Sequence, residues 1–391
     1  MDFFYRCSLC SQSFKIDPQL TLCPDCSSQQ QQNQPLHGVL EVELQGSAGP
    51  HFDVFDLLPI GREYFPPAPV GHTPVWEPKN LRFQLGFEKL YIKDDGTNPT
   101  SSFKDRASYL VSAFAKKFKI EDIALASTGN AGSSMAGIGA AAGQSITLFL
   151  PETAPVAKLV QALQYGARVY RVAGSYDLAY DISLEYSRQK GGMNRNTAYN
   201  PMTIEGKKTV SLELYQQLGG TPDIVFVSVG DGCILSGVYK GFKDLKQLGI
   251  IPHVPKIIGV QAENAAALAR AMQTGKFTLK PSSTVADSIC VDVPRNGLHA
   301  LAQLQAFGGE LMTVSDAEIL QAQATLSATT GLFTEPAGAA AVAGFLKAAP
   351  GLDHKASIVI LATGNGLKDS QSAQLGIQMP EELITSVTDI S

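Results

Sequence analysis

The chain has 391 residues, of which 44% are hydrophobic and 17% charged, and its formal net charge is −5. At roughly 100 to 200 residues per domain, this length predicts two large domains and one smaller unit. The mild acidity argues against nucleic acid as a partner, because binding to a phosphate backbone needs a basic face. No apolar stretch approaches the roughly 18 residues of a membrane span, and the first residues lack a signal sequence. We therefore expect a cytoplasmic protein without a membrane partner.

Four cysteines near the N-terminus form two C-x-x-C pairs, Cys7 with Cys10 and Cys23 with Cys26. Each pair can offer two thiolates from a tight turn, and two such turns complete a tetrahedron around Zn(II), which makes the site structural. Disulfides or free thiols are the alternative, but disulfides are disfavoured in a reducing compartment. We predict a zinc ribbon in residues 1–35, which end in a Gln-rich linker.

The chain after the linker begins with a segment rich in Pro and Gly, whose apolar run at 39–44 indicates a strand or an arm. The main body then alternates short apolar runs with helical patterns. The predicted strands are 90–93, 123–126, 146–150, 168–172, 224–229, 257–261 and 357–362. The predicted helices are 104–118, one from 130, 155–165, one ending at 188, 235–248, 264–273, 316–329 and 336–348.

This alternation predicts an α/β fold with mainly parallel sheets and right-handed crossovers. We expect a smaller α/β domain at 101–205. A larger domain would combine part of 36–100, which also holds the arm, with 206–391. The helix from Asn130 is rich in Ala and Gly, which predicts close packing against a sheet.

One lysine, Lys104, lies where a predicted loop becomes a helix, inside the hexapeptide 101–106. A lysine that forms a Schiff base has to be partly uncharged, and burial or nearby cations lower its pKa toward that state. Arg106 is close enough in sequence to contribute such a charge. The alternative is an ordinary solvated lysine in a first helical turn. We predict that Lys104 is the covalent anchor of a cofactor, and that Asp105 and Arg106 brace the helix.

Three polar loops each follow a predicted strand, at 127–132, 230–233 and 363–369. Ligands of open α/β sheets bind outside the carboxyl ends of the strands, so one crevice is expected to collect these loops with Lys104. The glycines of the second loop expose backbone N–H groups before a helix, which is a favourable place for a phosphate. An ordinary turn is the alternative for this loop, and a helix cap is the alternative for the first.

These four motifs, in this order, resemble those of fold-type II enzymes that use pyridoxal 5'-phosphate (PLP). The loops at 127–132 and 363–369 are most similar to those of threonine synthases, and the resemblance covers about residues 65–370. It implies two three-layer α/β domains and a homodimer. It also implies that Lys104 carries PLP and acts as a general base toward an amino-acid substrate.

The resemblance also assigns roles to the loop residues. Asn130 would face the phenolic oxygen of PLP, and Thr363 would face the pyridine nitrogen. The substrate carboxylate would be received by Ser127, Thr128 and Gly129. The PLP phosphate would be held by Gly230, Asp231, Gly232 and Cys233.

The chain departs from threonine synthases where the substrate phosphate is bound. The family's usual Asn, Ser, Arg and Thr are replaced by Thr197, Ala198, Thr203 and Ala131, and a Gly and an Asn of the phosphate loop by Cys233 and Ile234. An arginine fork is the natural partner of a phosphate, so the pocket is depleted for O-phosphohomoserine. Lys207 and Lys208 are alternative positive charges, but their Glu-Gly-Lys-Lys sequence predicts a solvated turn.

Three functional hypotheses follow. The first is a PLP-dependent carbon–oxygen lyase that converts O-phosphohomoserine to threonine and phosphate. The second is a serine or threonine deaminase, or a β-replacement synthase similar to cysteate synthase. The third is a zinc-ribbon binding protein whose PLP body is inactive, which the presence of Lys104, Asn130 and Thr363 disfavours.

Overall fold

The protein is described by a computed structural model that covers residues 1–127, 129–152, 156–174, 176–380 and 384–386. In these residues the strands form three sheets of three, six and four strands. The fold is α/β, with two mainly parallel sheets and a small N-terminal ribbon, as predicted. No described helix is both long enough and apolar enough to cross a membrane.

The strands are numbered along the chain. They are β1 (Asp2–Cys7), β2 (Ser13–Phe14), β3 (Leu40–Gln45), β4 (Val75–Trp76), β5 (Leu90–Asp94), β6 (Asp122–Ala126), β7 (Ser145–Pro151), β8 (Arg168–Val172), β9 (Met193–Asn194), β10 (Ile224–Ser228), β11 (Lys256–Ala262), β12 (Glu310–Val314) and β13 (Ile358–Ala362).

The helices are numbered in the same way. They are α1 (Pro24–Ser27), α2 (Lys79–Leu85), α3 (Lys104–Lys117), α4 (Asn130–Ala142), α5 (Val156–Gln164), α6 (Tyr176–Lys190), α7 (Met202–Lys207), α8 (Thr209–Leu218), α9 (Cys233–Gln247), α10 (Ala267–Thr274), α11 (Gly297–Phe307), α12 (Asp316–Thr330), α13 (Pro336–Ala348) and α14 (Ser370–Gln374).

The six-stranded sheet has the order β12-β11-β10-β13-β5-β4 and is parallel except for the edge pair β4 and β5. Its centre is a row of apolar side chains, in which Ile360 lies between Phe226 and Ile92. These strands are nearly continuous apolar runs because both faces of the sheet are buried. The four-stranded sheet, β8-β7-β6-β9, is parallel throughout, and its strands lie within the segment 101–205 that we propose as the smaller domain.

Helix α4 packs closely on the four-stranded sheet, which confirms the expectation from its small residues. A Cβ atom added to Gly139 would lie only 2.4 Å from Cγ1 of Ile146 on β7. No side chain larger than hydrogen fits at that position without displacing the side chain of Ile146, since real Cβ atoms do not approach this closely. The absence of a side chain at Gly139 therefore allows α4 to pack directly against β7.

Several elements are absent from the sequence prediction, notably β9, β12, α7, α8 and α11. Strand β12 is an edge strand of mixed polarity and partial burial, so it lacks a clear apolar run. Helix α7 contains Gly206, which weakens a helical pattern but has a packing reason. A Cβ atom at Gly206 would lie 2.3 Å from the carbonyl oxygen of Arg106, so α7 and α3 are in backbone contact.

The prediction that Lys207 and Lys208 lie on a solvated turn is wrong. Both side chains are completely buried, because the contact between α7 and α3 places this segment inside the protein. Lys208 forms ion pairs with Glu205 and, at 2.7 Å, with Asp244. Lys207 instead extends toward the cavity described below.

The N-terminal ribbon is an antiparallel sheet in the order β2-β1-β3, with β1 and β3 paired over six residues. The ribbon is docked on the main body. Glu41 of β3 accepts hydrogen bonds from Lys243 of α9 at 2.7 Å and lies 3.3 Å from His299 of α11. Leu22 and Val39 of the same unit pack in one apolar cluster that also contains Cys233.

A buried ionic network fixes the start of α3. The guanidinium of Arg106 donates to Asp95 at 2.6 Å and to Glu213 at 2.6 Å, and Lys93 donates to the other oxygen of Glu213 at 2.7 Å. Burial by itself raises the pKa of Glu213, but the charges of Arg106 and Lys93 overcome this and lower it to about 2. The expectation that Arg106 braces the helix rather than contacting substrate agrees with this geometry.

Candidate active site

A cavity of about 590 Å³ lies where the carboxyl ends of β6 and β10 face the start of α3. This volume is typical of sites for small ligands and cofactors, which occupy roughly 300–1,000 Å³. The predicted site residues in its wall are Lys104, Ser127, Gly129, Asn130, Gly230, Asp231, Gly232 and Cys233. Thr128 lies outside the described residues. Two of the three predicted loops, 127–132 and 230–233, thus meet Lys104 in one crevice, whereas the third, 363–369, contributes no residue to this wall.

Lys104 is the first residue of α3 and faces the cavity. Burial lowers the pKa of its amine, Arg195 acts in the same direction, and Asp231 and Glu335 oppose the shift. Arg195, rather than Arg106, is the cation among the main electrostatic influences on Lys104. Arg106 is itself paired with Asp95 and Glu213. A lysine with a lowered pKa is suited to nucleophilic and proton-transfer chemistry.

The loop before α4 combines a helix cap with groups that face the cavity. The Ser127 hydroxyl accepts hydrogen bonds from the N–H groups of Gly132 at 2.9 Å and Gly129 at 3.3 Å, so the helix-cap interpretation holds for this residue. The side-chain amide of Asn130 donates to Glu335 at 2.7 Å and to Ser288 at 3.2 Å. Its oxygen is buried without a partner in the described residues.

The loop before α9 makes a close turn that requires glycine. Gly232 has φ +89°, and a Cβ atom there would lie 2.7 Å from Ala300 Cβ. A Cβ atom at Gly230 would lie 2.9 Å from the Cα atom of Ile289. The Asp231 carboxylate accepts from the N–H of Cys233, the first residue of α9, at 2.9 Å.

Thr363 directly follows β13 and is 6% exposed. Its carbonyl oxygen accepts from the N–H of Phe103 at 2.8 Å, so it adjoins the residue that precedes Lys104. Its side chain is not part of the described cavity wall. The role of its hydroxyl toward a cofactor ring therefore stays a prediction.

Sequence reasoning missed two residues near the cavity. Arg195 is buried just after β9, and Glu335 is the N-cap residue of α13 that binds Asn130. Lys207, which the sequence offered as an alternative positive charge, lines the wall. The sequence did contain a signal for Arg195, since polar residues directly after a strand are the pattern that identified the other loops. Arg195 was missed because β9 has only two residues and was not predicted as a strand. Glu335 precedes Pro336, which is a frequent first residue of a helix.

The four N-terminal cysteines form a separate cluster in the ribbon. Their sulfur atoms all lie within 4.8 Å of one another, and Cys7 to Cys26 and Cys10 to Cys23 are each 3.7 Å apart. A disulfide would require about 2.05 Å between sulfurs. Tetrahedral ligands about 2.3 Å from zinc would be roughly 3.8 Å apart, so the cluster is compatible with a metal site.

Comparisons with known proteins agree with this geometry. The family described as "Pyridoxal-phosphate dependent enzyme" matches residues 68–364. The chain is 36% identical to the threonine synthase of Methanocaldococcus jannaschii over 328 residues, which cover 82% of this chain and 80% of that protein. It is 33% identical to the threonine synthase of Mycobacterium tuberculosis over 81% of this chain and 88% of the relative.

Two solved structures show the same fold. The processed form of threonine deaminase isoform 2 from Solanum lycopersicum has a TM-score of 0.69 and 24% identity, over 85% of this chain and 97% of that chain. Maize serine racemase has a TM-score of 0.68 and 24% identity, over 78% and 93%. With these matches and the convergence of the loops on Lys104, the chain belongs to the family of pyridoxal-phosphate dependent enzymes and is threonine synthase-like within it.

Proposed function

We propose that the protein is a PLP-dependent lyase that converts O-phosphohomoserine and water to threonine and phosphate. The observation that carries this proposal is the meeting of Lys104 with the loops at 127–132 and 230–233 in one cavity, in a chain 36% identical to a threonine synthase. A homodimer and a cytoplasmic location remain predictions from the sequence.

The residues of the cavity fit PLP. Lys104 supplies the amine, and Asn130 lines the same wall. In the described residues, the N–H groups of Gly230 and Gly232 make no hydrogen bond. Polar groups left free at the wall of a ligand-sized cavity are expected where a ligand completes their hydrogen bonding.

When bound, PLP supplies an electron sink that makes the α-carbon proton of an amino acid removable. The Lys104 amine, whose pKa burial lowers, would accept that proton and return it. In this proposal Asn130 orients the cofactor through its amide, and Thr363 offers a hydroxyl to the ring nitrogen. The N–H of Gly129 and the hydroxyl of Ser127 receive the substrate carboxylate.

One observation favours a second candidate, a serine or threonine deaminase or a β-replacement synthase. Thr203, which stands where threonine synthases have an arginine, is fully buried, and its hydroxyl donates to the carbonyl of Asn200 at 2.7 Å. It does not line the described cavity. Thr203 therefore supplies no positive charge where threonine synthases have their arginine. This absence favours a substrate without a phosphate group.

The test is a product assay on the purified protein loaded with PLP. O-phosphohomoserine, serine, threonine and O-phosphoserine are supplied separately. We expect equal amounts of threonine and phosphate from O-phosphohomoserine. Ketoacid and ammonia from serine or threonine would support the deaminase instead. No product from any of the four, with PLP bound, would favour the inactive binding protein.

We also propose that the four ribbon cysteines bind one structural Zn(II). With Cys7 and Cys10 both changed to serine, we expect loss of the metal and of the ordered β1–β3 sheet, because a unit this small has little core of its own. Metal analysis by mass spectrometry and limited proteolysis measure the two effects. Cys290→Ser is the matched control and should keep the full metal content. Retention of zinc by the double variant would contradict the proposed site.

A further inference from the structure

Two positive side chains at the cavity, Lys207 and Arg195, have no acidic partner in the described residues. Both are 0% exposed, and no described carboxylate lies within ion-pair distance of either. Lys208 shows the usual solution for a buried lysine, since it is paired with Glu205 and Asp244. A buried charge without a counterion is costly. Two such cations beside a cavity therefore indicate that the cavity binds an anionic ligand.

Lys207 packs closely against α9, and its side chain lines the cavity. A Cβ atom added to Gly237 would lie 2.4 Å from Cβ of Lys207, so the two helices touch at this point. The amine of Lys207 donates to the carbonyl oxygen of Thr203 at 3.0 Å, which leaves two of its three donors for other partners. The side chain lines the same cavity as Cys233, the first residue of α9.

Arg195 acts from behind the wall through a hydroxyl. Its guanidinium donates to Thr197 at 3.0 Å and to Ser108 at 3.4 Å, and its Nε atom is buried without a partner in the described residues. Thr197 lines the cavity. Because the Thr197 oxygen accepts from Arg195, its own hydrogen is available to a ligand.

The charges around Lys207 are unbalanced. The pKa of Lys207 is lowered to about 8, chiefly by burial and also by Arg195 and Lys104, while Cys233 and Asp231 act in the opposite direction. Burial likewise lowers the pKa of Arg195 to about 10. Asp231 is the acid that acts on Lys207. Its carboxylate already accepts a hydrogen bond from the N–H of Cys233. A bound dianion would supply the missing negative charge.

We propose that Lys207 binds a phosphate monoester dianion in this cavity, with the Thr197 hydroxyl as a second donor and Arg195 as the charge behind it. The proposal rests on the proposed function only in taking this cavity as the site of PLP and an amino acid. The phosphate has two possible sources, PLP itself or a phosphorylated substrate. In either case the positive charge comes from a different helix position than the arginine of related synthases.

The experiment compares the wild type with Lys207→Gln and Thr197→Val. Lys246→Gln is the matched control, since Lys246 is exposed on α9. The cofactor-free proteins are titrated with PLP, with pyridoxal, which lacks the phosphate, and with inorganic phosphate. The PLP-loaded proteins are titrated with O-phosphoserine and serine. Circular dichroism checks that each variant is folded, and Thr197→Val tests the site without removing a buried charge.

If the cofactor is the source, Lys207→Gln weakens PLP binding by about 10- to 100-fold and leaves pyridoxal binding unchanged. If the substrate is the source, PLP binding stays constant. The variant then binds O-phosphoserine about 10- to 100-fold more weakly than the wild type but binds serine equally well. Thr197→Val should give a smaller loss for the same ligand. The proposal is overturned if Lys207→Gln or, should that variant not fold, Thr197→Val binds PLP, inorganic phosphate and O-phosphoserine as tightly as the wild type.

A failure of the proposed function would look different. A wild type that binds neither PLP nor pyridoxal would reject the PLP assignment. Inorganic phosphate would still test Lys207 in that protein, because its binding needs no cofactor. An effect of Lys246→Gln as large as that of Lys207→Gln would reject the specific site in favour of a general effect of net charge.

Discussion

Changing Lys104 to alanine is expected to lower turnover by at least about 10³-fold, because the amine serves both as the covalent anchor and as the group that moves the α-carbon proton. No other lysine takes the same position at the start of α3. Lys207 lines the cavity as well, but its amine is held by the carbonyl of Thr203. We therefore do not expect a second lysine to replace the anchor.

The measurement is reduction of the PLP-loaded protein with borohydride, followed by the mass of the intact chain. The wild type should gain the mass of one reduced cofactor, and Lys104→Ala should gain none. Lys116→Ala is the matched control, since Lys116 is an exposed lysine in the last turn of the same helix. A mass gain in Lys104→Ala equal to that of the wild type would show that the anchor is another residue.

Changing Arg106 to alanine is expected to lower the free energy of unfolding by about 3–5 kcal/mol, which is the usual cost of leaving buried charges without their partner. The variant would leave Asp95 and Glu213 with only Lys93 to balance two carboxylates. It would also release the start of α3, so cofactor binding should weaken in parallel.

Urea unfolding measures the loss of stability. Arg62→Ala is the control, because its ion pair with Asp53 is exposed and should contribute less than about 1 kcal/mol. Arg106→Lys keeps the charge but loses the forked hydrogen bonds, so its stability should lie between the wild type and the alanine variant. Equal stability of Arg106→Ala and Arg62→Ala would mean that the network does not stabilise the fold.

Much of the site could be predicted because its signals are local. A short apolar run followed by Gly, Ser, Thr or Asn identifies the end of a parallel strand, and such ends are expected to meet in one crevice. This reasoning brought Lys104 together with the loops at 127–132 and 230–233, and the structure confirms their convergence. The cysteine spacing likewise predicted a cluster that the structure brings together.

What the amino-acid sequence determined by itself was the alternating α/β order, the loops that carry the chemistry and the position of the reactive lysine. The tertiary structure decided which charges are buried around them. The sequence predicts a solvated position for Lys207, yet contacts through Gly206 and Gly237 place α7 against α3 and α9 and bury this side chain. Burial of a charged side chain depends on segments distant in sequence that cover it. The local pattern of apolar residues does not reveal which segments these are.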